Sequence, residues 1–260
     1  MLTEAAEDDA WAEVLDAVRA ACRDEDGQDP LDEAARLRLK HHGLTGSELW
    51  LAGDAGFALL HEHGVDLAVA PASRRQGLGG ELAAAAFAGD GPATAWSHGD
   101  HPAAAVLAAR HGLHRARELW VMRRPADAAL ADLVAPDGVT VRGYEPRDAD
   151  DLAARMAEDW FDPAGLLVAD TGTGLSGFHW TKQHDAELGE VYVVAIDPAA
   201  QGQGLGKVLT LAGLHHLHGL GVSEVLLYVE SDNAPAVRVY SGLGFTHADA
   251  DTHVQYRRPG

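Results

Sequence analysis

Apolar and polar positions change period several times along the chain, and each change marks an element. In the second half, Val139–Tyr144 alternates and predicts a strand, whereas Arg147–Glu158 carries Leu152 and Met156 at helical spacing. Leu166–Asp170 and Gly177–Thr181 flank the turn-forming stretch Thr171–Gly174 and predict a hairpin. A strand at Glu190–Ile196 leads into a helix over Gly204–Leu220. A second strand at Val225–Val229 leads into a helix over Ala234–Leu243, and a closing strand follows. The order predicts an α+β fold in which two neighbouring parallel strands open at their C-terminal ends.

The same order occurs twice. Val65-Asp-Leu-Ala-Val-Ala-Pro-Ala-Ser-Arg-Arg-Gln-Gly-Leu-Gly79 matches Tyr192-Val-Val-Ala-Ile-Asp-Pro-Ala-Ala-Gln-Gly-Gln-Gly-Leu-Gly206. Further on, the stretch from Asp100 to Leu113 matches the stretch from Asp232 to Phe245, and each copy closes on Arg-Arg-Pro, at Arg123–Pro125 and Arg257–Pro259. Repeats in fixed order imply two similar units. The segment Pro125–Gly138, with Pro125, Pro136 and Gly138, predicts a linker. The expected division is therefore an N-terminal domain over residues 1–128 and a C-terminal domain over 138–260.

Composition narrows the class of function. Across 260 residues the formal net charge is -20, which opposes a nucleic-acid partner because phosphate binding needs clustered Lys and Arg. Apolar residues come in short bursts, never in the run of roughly 18 or more that spans a bilayer. The acidic stretch Met1–Asp9 lacks the pattern of a secretory signal, so a soluble cytoplasmic protein, working as a monomer, is expected. Cys22 stands alone and reads as a packing residue of an amphipathic helix. His215, His216 and His218 share one helix without a matched second cluster, so no metal is expected.

Between strand and helix lies Gln201, Gly202, Gln203, Gly204, Leu205, Gly206 and Lys207. Glycines there let the backbone turn tightly, so that N–H groups at the helix start point at one centre where a pyrophosphate docks. The first copy offers the same loop as Arg74, Arg75, Gln76, Gly77, Leu78 and Gly79. A glycine-rich turn without ligand and a dinucleotide site are alternative readings, although the pattern is Gln/Arg-x-x-Gly-x-Gly and not Gly-x-Gly-x-x-Gly.

The loop, with Asn233-Ala-Pro-Ala-Val-Arg-Val-Tyr240 and Leu243-Gly-Phe245, resembles the GNAT N-acetyltransferase superfamily, in which this loop binds the pyrophosphate of CoA. Gly177-Phe-His-Trp-Thr-Lys182, Gly189-Glu-Val-Tyr-Val-Val194, Trp160-Phe-Asp-Pro-Ala-Gly165 and Leu226-Leu-Tyr-Val-Glu-Ser-Asp-Asn233 resemble the mycothiol synthase family. Its members are tandem GNAT enzymes acetylating the cysteinyl amine of a cysteinyl-glucosaminyl-inositol conjugate. The resemblance implies two GNAT-like domains, each a mixed, mostly antiparallel sheet flanked by helices, with acetyl-CoA as co-substrate.

Amide formation from an amine and a thioester needs a base, a polarised carbonyl and an acid for the leaving thiolate. Glu190, at the start of the strand feeding the loop, is the candidate base, and Tyr240, on the following helix, the candidate acid. Backbone N–H groups around Val194, Ala195 and Ile196 are placed to polarise the carbonyl. The resemblance implies these same roles and adds Asn233, Ala234, Pro235, Ala236, Val237 and Arg238 around CoA. It also implies acceptor contacts at Glu33, Lys182 and Tyr228, besides Glu190. Carried back through the repeat, Glu190 falls on His63 and Tyr240 on Ala108, so the first domain is expected to be non-catalytic while holding CoA at Leu67, Ala68, Val69 and its own loop. After Tyr144 the chain is shorter than the family pattern and lacks a His-Pro-Glu-Gln-like stretch. Acetyl transfer to another small amine or a protein N-terminus, and a CoA-binding regulatory protein without turnover, are therefore the alternatives.

Overall fold

The computed structural model describes residues 2–4, 10–62, 64–89, 93–145 and 162–259. The helix expected over Arg147–Glu158, the residue Trp160 and the repeat partner His63 lie outside them.

The chain forms two compact units, one of Met1–Leu119 with Asp249–Gly260, the other of Trp120–Ala248. In unit 1, β1 (Thr3–Glu4), β2 (Glu48–Leu51), β3 (Gly56–His61) and β4 (Gly64–Val69) pair antiparallel in that order. Strand β5 (Ala93–Ser97) then joins β4 in parallel at Val65↔Ala95. Helices α1 (Ala10–Asp26) and α2 (Glu33–His42) precede β2; α3 (Leu78–Ala86) and α4 (Pro102–Arg110) follow β4 and β5. Leu15, Val18 and Cys22 of α1 pack with Phe57, Leu59 and Ala68, so Cys22 is a core residue.

Strand β6 (His114–Pro125) ends unit 1 and enters unit 2, where β7 (Thr140–Gly143), β8 (Leu166–Asp170), β9 (Leu175–Gln183) and β10 (Leu188–Ile196) pair antiparallel in order. Helix α5 (Leu205–Gly219) carries the chain to β11 (Glu224–Glu230), which lies parallel to β10; α6 (Ala234–Gly242) and β12 (Thr246–Arg258) follow. Every expected element of this half that falls among the described residues is present. The strands of the β9–β10 hairpin run longer because polar Lys182, Gln183 and the small Gly189 sit in regular pairing. The whole is α+β, as the pattern predicts.

The expected boundary differs in two ways. The outer part of β12 counts with unit 1, because Val254–Arg258 pairs with Ser97–Ala93 of β5. The expected linker is also anchored at its start: Ala126 is 2% exposed within the core of unit 2, its N–H donates to Ser223 O, and His218 and His215 bond the carbonyls of Ala126 and Ala131. Two of the three clustered histidines are thus bound to backbone.

Candidate active site

After β10, the Asp197 carboxylate accepts the Ala199 N–H at 2.7 Å and fixes a 3-10 turn over Pro198–Ala200. Gly202 and Gly204 follow at φ of 80° and 81°, in the left-handed region where a Cβ costs roughly 1–2 kcal/mol. Gly204 caps α5 without a side chain to accept from its first N–H groups. The N–H groups of Leu205, Gly206 and Lys207 are thereby available to an anion, and the helix dipole favours negative charge there. Lys207 is exposed beside them. These residues fit the pyrophosphate of CoA.

The loop of unit 1 has the same course, with Gly77 at φ 93° capping α3 and Arg75 at φ 63° where the second copy has Gly202. Arg74 also has partners within the protein. Its guanidinium pairs with both oxygens of Asp26, at 2.8 and 2.5 Å, and donates to Val69 O at 3.0 Å, so this charge ties the loop to α1. Leu67, Ala68, Val69, Arg74, Arg75, Gly77 and Gly79 line a cavity of about 810 Å³ that opens where β4 and β5 part. That size suits a cofactor.

In unit 2 the parallel pairing of β10 with β11 runs from Leu188↔Glu224 to Val191↔Leu227, while β10 continues to Ile196 and β11 to Glu230. A register shift between Val191 and Val193 makes Tyr192 the extra residue of a bulge, which bends β10 away at this point. The strands therefore fork, with Val194, Ala195 and Ile196 on one arm.

Alternation assigns side chains to the two faces of the fork. Val191, Val225, Leu227 and Val229 pack in the core beneath α5 and α6, so Glu190, Leu226 and Tyr228 take the opposite face. Glu190 is 5% exposed, and its Oε2 lies 2.6 Å from Nε2 of His184, in the turn after β9. Lys182 is Glu190's partner in the β9–β10 register; it is 6% exposed, and its Nζ lies 5.2 Å from the centre of the Tyr192 ring. Tyr228 is 47% exposed. Base candidate, buried cation and exposed phenol thus share one face.

Tyr240 packs on the other face, in contact with the core of α5 and α6 and edge-to-face with Phe245. Burial pushes its phenol above the usual tyrosine range, which keeps the proton on at neutral pH. Asn233 caps α6, accepting the Ala236 N–H at 3.2 Å, so Ala234, Pro235, Ala236, Val237 and Arg238 begin a fixed helix. Glu33 opens α2 in unit 1 and is half-buried, while Lys182 and Tyr228 belong to unit 2.

The first copy places Ala108 in its core on α4. It has a carboxylate and imidazole of its own, Asp66 with His61 at 2.9 Å, at strand positions that do not match Glu190. His184 and His61 carried no motif; only the hairpin register reveals them.

The acetyltransferase (GNAT) family profile matches residues 129–245. A mycothiol acetyltransferase of Nocardioides sp. is 55% identical, over 96% of this chain and 97% of that protein. Its counterpart from Actinosynnema mirum is 46% identical over 96% of each. Among solved structures, a tandem GNAT protein from the clavulanic acid biosynthesis pathway superposes with a TM-score of 0.73 at 20% identity, covering 99% of this chain and 98% of that one. A GCN5-related N-acetyltransferase from Sphaerobacter thermophilus gives 0.71 at 22% identity, covering 99% and 95%. The two glycine loops, the forked strands and near-full-length identity to such relatives agree: the chain belongs to the mycothiol acetyltransferase family of tandem GNAT proteins.

Proposed function

We propose that this chain transfers acetyl from acetyl-CoA to the cysteinyl amine of cysteinyl-glucosaminyl-inositol, completing mycothiol, and does so in unit 2. The observation that carries this is the fork of β10 and β11, which has Glu190 on one face and Tyr240 on the other. Acetyl-CoA supplies an activated acetyl thioester. Gln201–Lys207 holds its pyrophosphate and Asn233–Arg238 borders its other side. Glu190 takes a proton from the acceptor ammonium, freeing the nitrogen lone pair to form the C–N bond. N–H groups of Val194–Ile196 polarise the thioester carbonyl as the C–S bond breaks, Tyr240 gives its proton to the departing sulfur, and the second proton shed by the acylated nitrogen returns Tyr240 to its phenol form, leaving the one on Glu190 to pass to solvent. Lys182 and Tyr228 of unit 2 meet sugar or inositol hydroxyls. Unit 1 holds a second CoA in its cavity without turning it over. The enzyme works as a cytoplasmic monomer without metal.

Mass spectrometry of the purified chain with acetyl-CoA and this amine tests the proposal. An acetyl gain on the amine is expected, and Glu190→Gln lowers kcat about 10²–10⁴-fold. Absence of product at high enzyme concentration rejects the acceptor, and full activity of Glu190→Gln rejects the base.

A further inference from the structure

A general base must offer one oxygen to the amine in a fixed direction, and a carboxylate on a freely turning side chain does not do so. Glu190 is nearly without exposed surface, so a protein group is needed to hold its second oxygen. That group is His184. With Nε2 and Oε2 only 2.6 Å apart, one proton lies between them, and an ionised carboxylate has none to give, so the imidazole N–H is the donor.

The turn that carries His184 is itself fixed. Its N–H donates to Leu188 O at 2.9 Å, and Asp185 Oδ1 accepts the N–H groups of Glu187 and Leu188, each at 2.8 Å. Those two bonds hold the Asp185 carboxyl below the usual range, so the turn stays intact near neutral pH. Lys182, the partner of Glu190 in the β9–β10 register, has its Nζ 5.2 Å from the centre of the Tyr192 ring, and an ammonium is a point charge without the planar directionality of an imidazole N–H. The His184 side chain is 31% exposed against 7% for Glu190, so it closes the carboxylate off from solvent.

We propose that His184 is the positioning residue of Glu190: its Nε2–H fixes Oε2 and leaves Oε1 to take the acceptor's proton. This rests on the reading of Glu190 as the base. His184→Ala is expected to lower kcat about 10–100-fold, the scale of a slightly misplaced catalytic group, with KM for acetyl-CoA and for the amine unchanged. His184→Gln, whose amide N–H reaches a similar point, restores most of kcat. In the Glu190→Gln background, His184→Ala costs nothing further, because the group it positions is gone.

Wild-type kcat in His184→Ala, with Glu190→Gln inactive, overturns the positioning role alone. So does an equal fold-loss from His184→Ala in both backgrounds, which marks a structural effect; should the alanine variant fold poorly, the Gln variant decides, and its failure to recover kcat while melting like the parent overturns the role. Full activity of Glu190→Gln instead removes the base assignment, and this inference with it.

Discussion

His179 has no exposed surface, and its Nδ1–H donates to Leu209 O at 2.8 Å across the gap between β9 and α5. Gly213 makes that approach possible, since a Cβ there would lie 1.9 Å from His179 Cε1. Burial lowers the imidazole pKa to about 4, against 6.5 for a solvated ring. The sign follows from proton uptake. Between these values the unfolded chain binds the proton and the folded one does not, so stability is intact above pH 6.5 and falls as pH drops toward 4. The loss attributable to this ring is on the order of 3 kcal/mol. Urea midpoints from pH 7.5 to 4.5 check this: the fall is expected to flatten in His179→Asn, whose amide keeps the bond to Leu209 O but does not titrate. Gly213→Ala is expected to destabilise by about 1–3 kcal/mol at every pH, through overpacking. Burial acts on Tyr240 in the opposite sense: it favours the protonated phenol, which in the proposed mechanism supplies the proton to the leaving thiolate. Tyr240→Phe is expected to lower kcat about 10–100-fold with acetyl-CoA binding intact, as single-turnover and binding measurements would show.

At the scale of elements, the strand–loop–helix unit β10–α5 joins fold to function. Gly204 at φ 81° brings the chain into α5 with its first N–H groups uncapped. Gly204→Ala adds roughly 1–2 kcal/mol of strain at that turn. It is expected to raise the KM for acetyl-CoA about 5–30-fold while leaving kcat at saturation within a factor of two or three, a split that steady-state kinetics reads directly. This unit was legible in the sequence because its signals are local: period-two alternation to Ile196, glycines at the turn, period-3.6 spacing beyond. Glu190 was legible as a candidate base for the same reason, as a carboxylate inside a strand before such a loop. What escaped depends on register. The bulge at Tyr192 fixes where β10 leaves β11, and nothing in Val-Tyr-Val-Val announces an extra residue. His184 meets Glu190 only because the β9–β10 hairpin brings residues six apart onto one face. The loop pattern offers Arg74 to a phosphate, but nothing local announces that Asp26, 48 positions away, pairs with it.

At the scale of the molecule, each repeat's closing strand finishes in the other repeat's unit, and a repeat-based division of the chain misses this. Arg124, at the end of β6, is 1% exposed and donates to Leu243 O at 2.8 Å, capping α6 of unit 2, and also to the carbonyls of Pro125, Ala128 and Ala129. Its repeat partner Arg258, at the end of β12, donates to His111 O at 2.9 Å, capping α4 of unit 1. A cation at a helix C-terminus answers the carbonyls that the last turn leaves unpaired. Replacing Arg124 by Leu strands several of those carbonyls, and a loss of about 2–4 kcal/mol is expected from urea unfolding. The exchange also bears on whether the domains are separable. A fragment of residues 138–260 would lack Met122 and Ala126 from the core of unit 2 as well as the Arg124 cap, and a fragment of 1–128 would lack Val254 and Tyr256 from that of unit 1. Neither fragment is expected to melt cooperatively alone, and the C-terminal one, although it holds Glu190, His184 and Tyr240, is expected to be inactive. Mixing the two should restore a cooperative transition and turnover, because each supplies the strand the other lacks. Independent melting of the 138–260 fragment near the temperature of the whole chain would show that the exchanged strand is dispensable, and catalysis would then belong to a self-sufficient C-terminal domain.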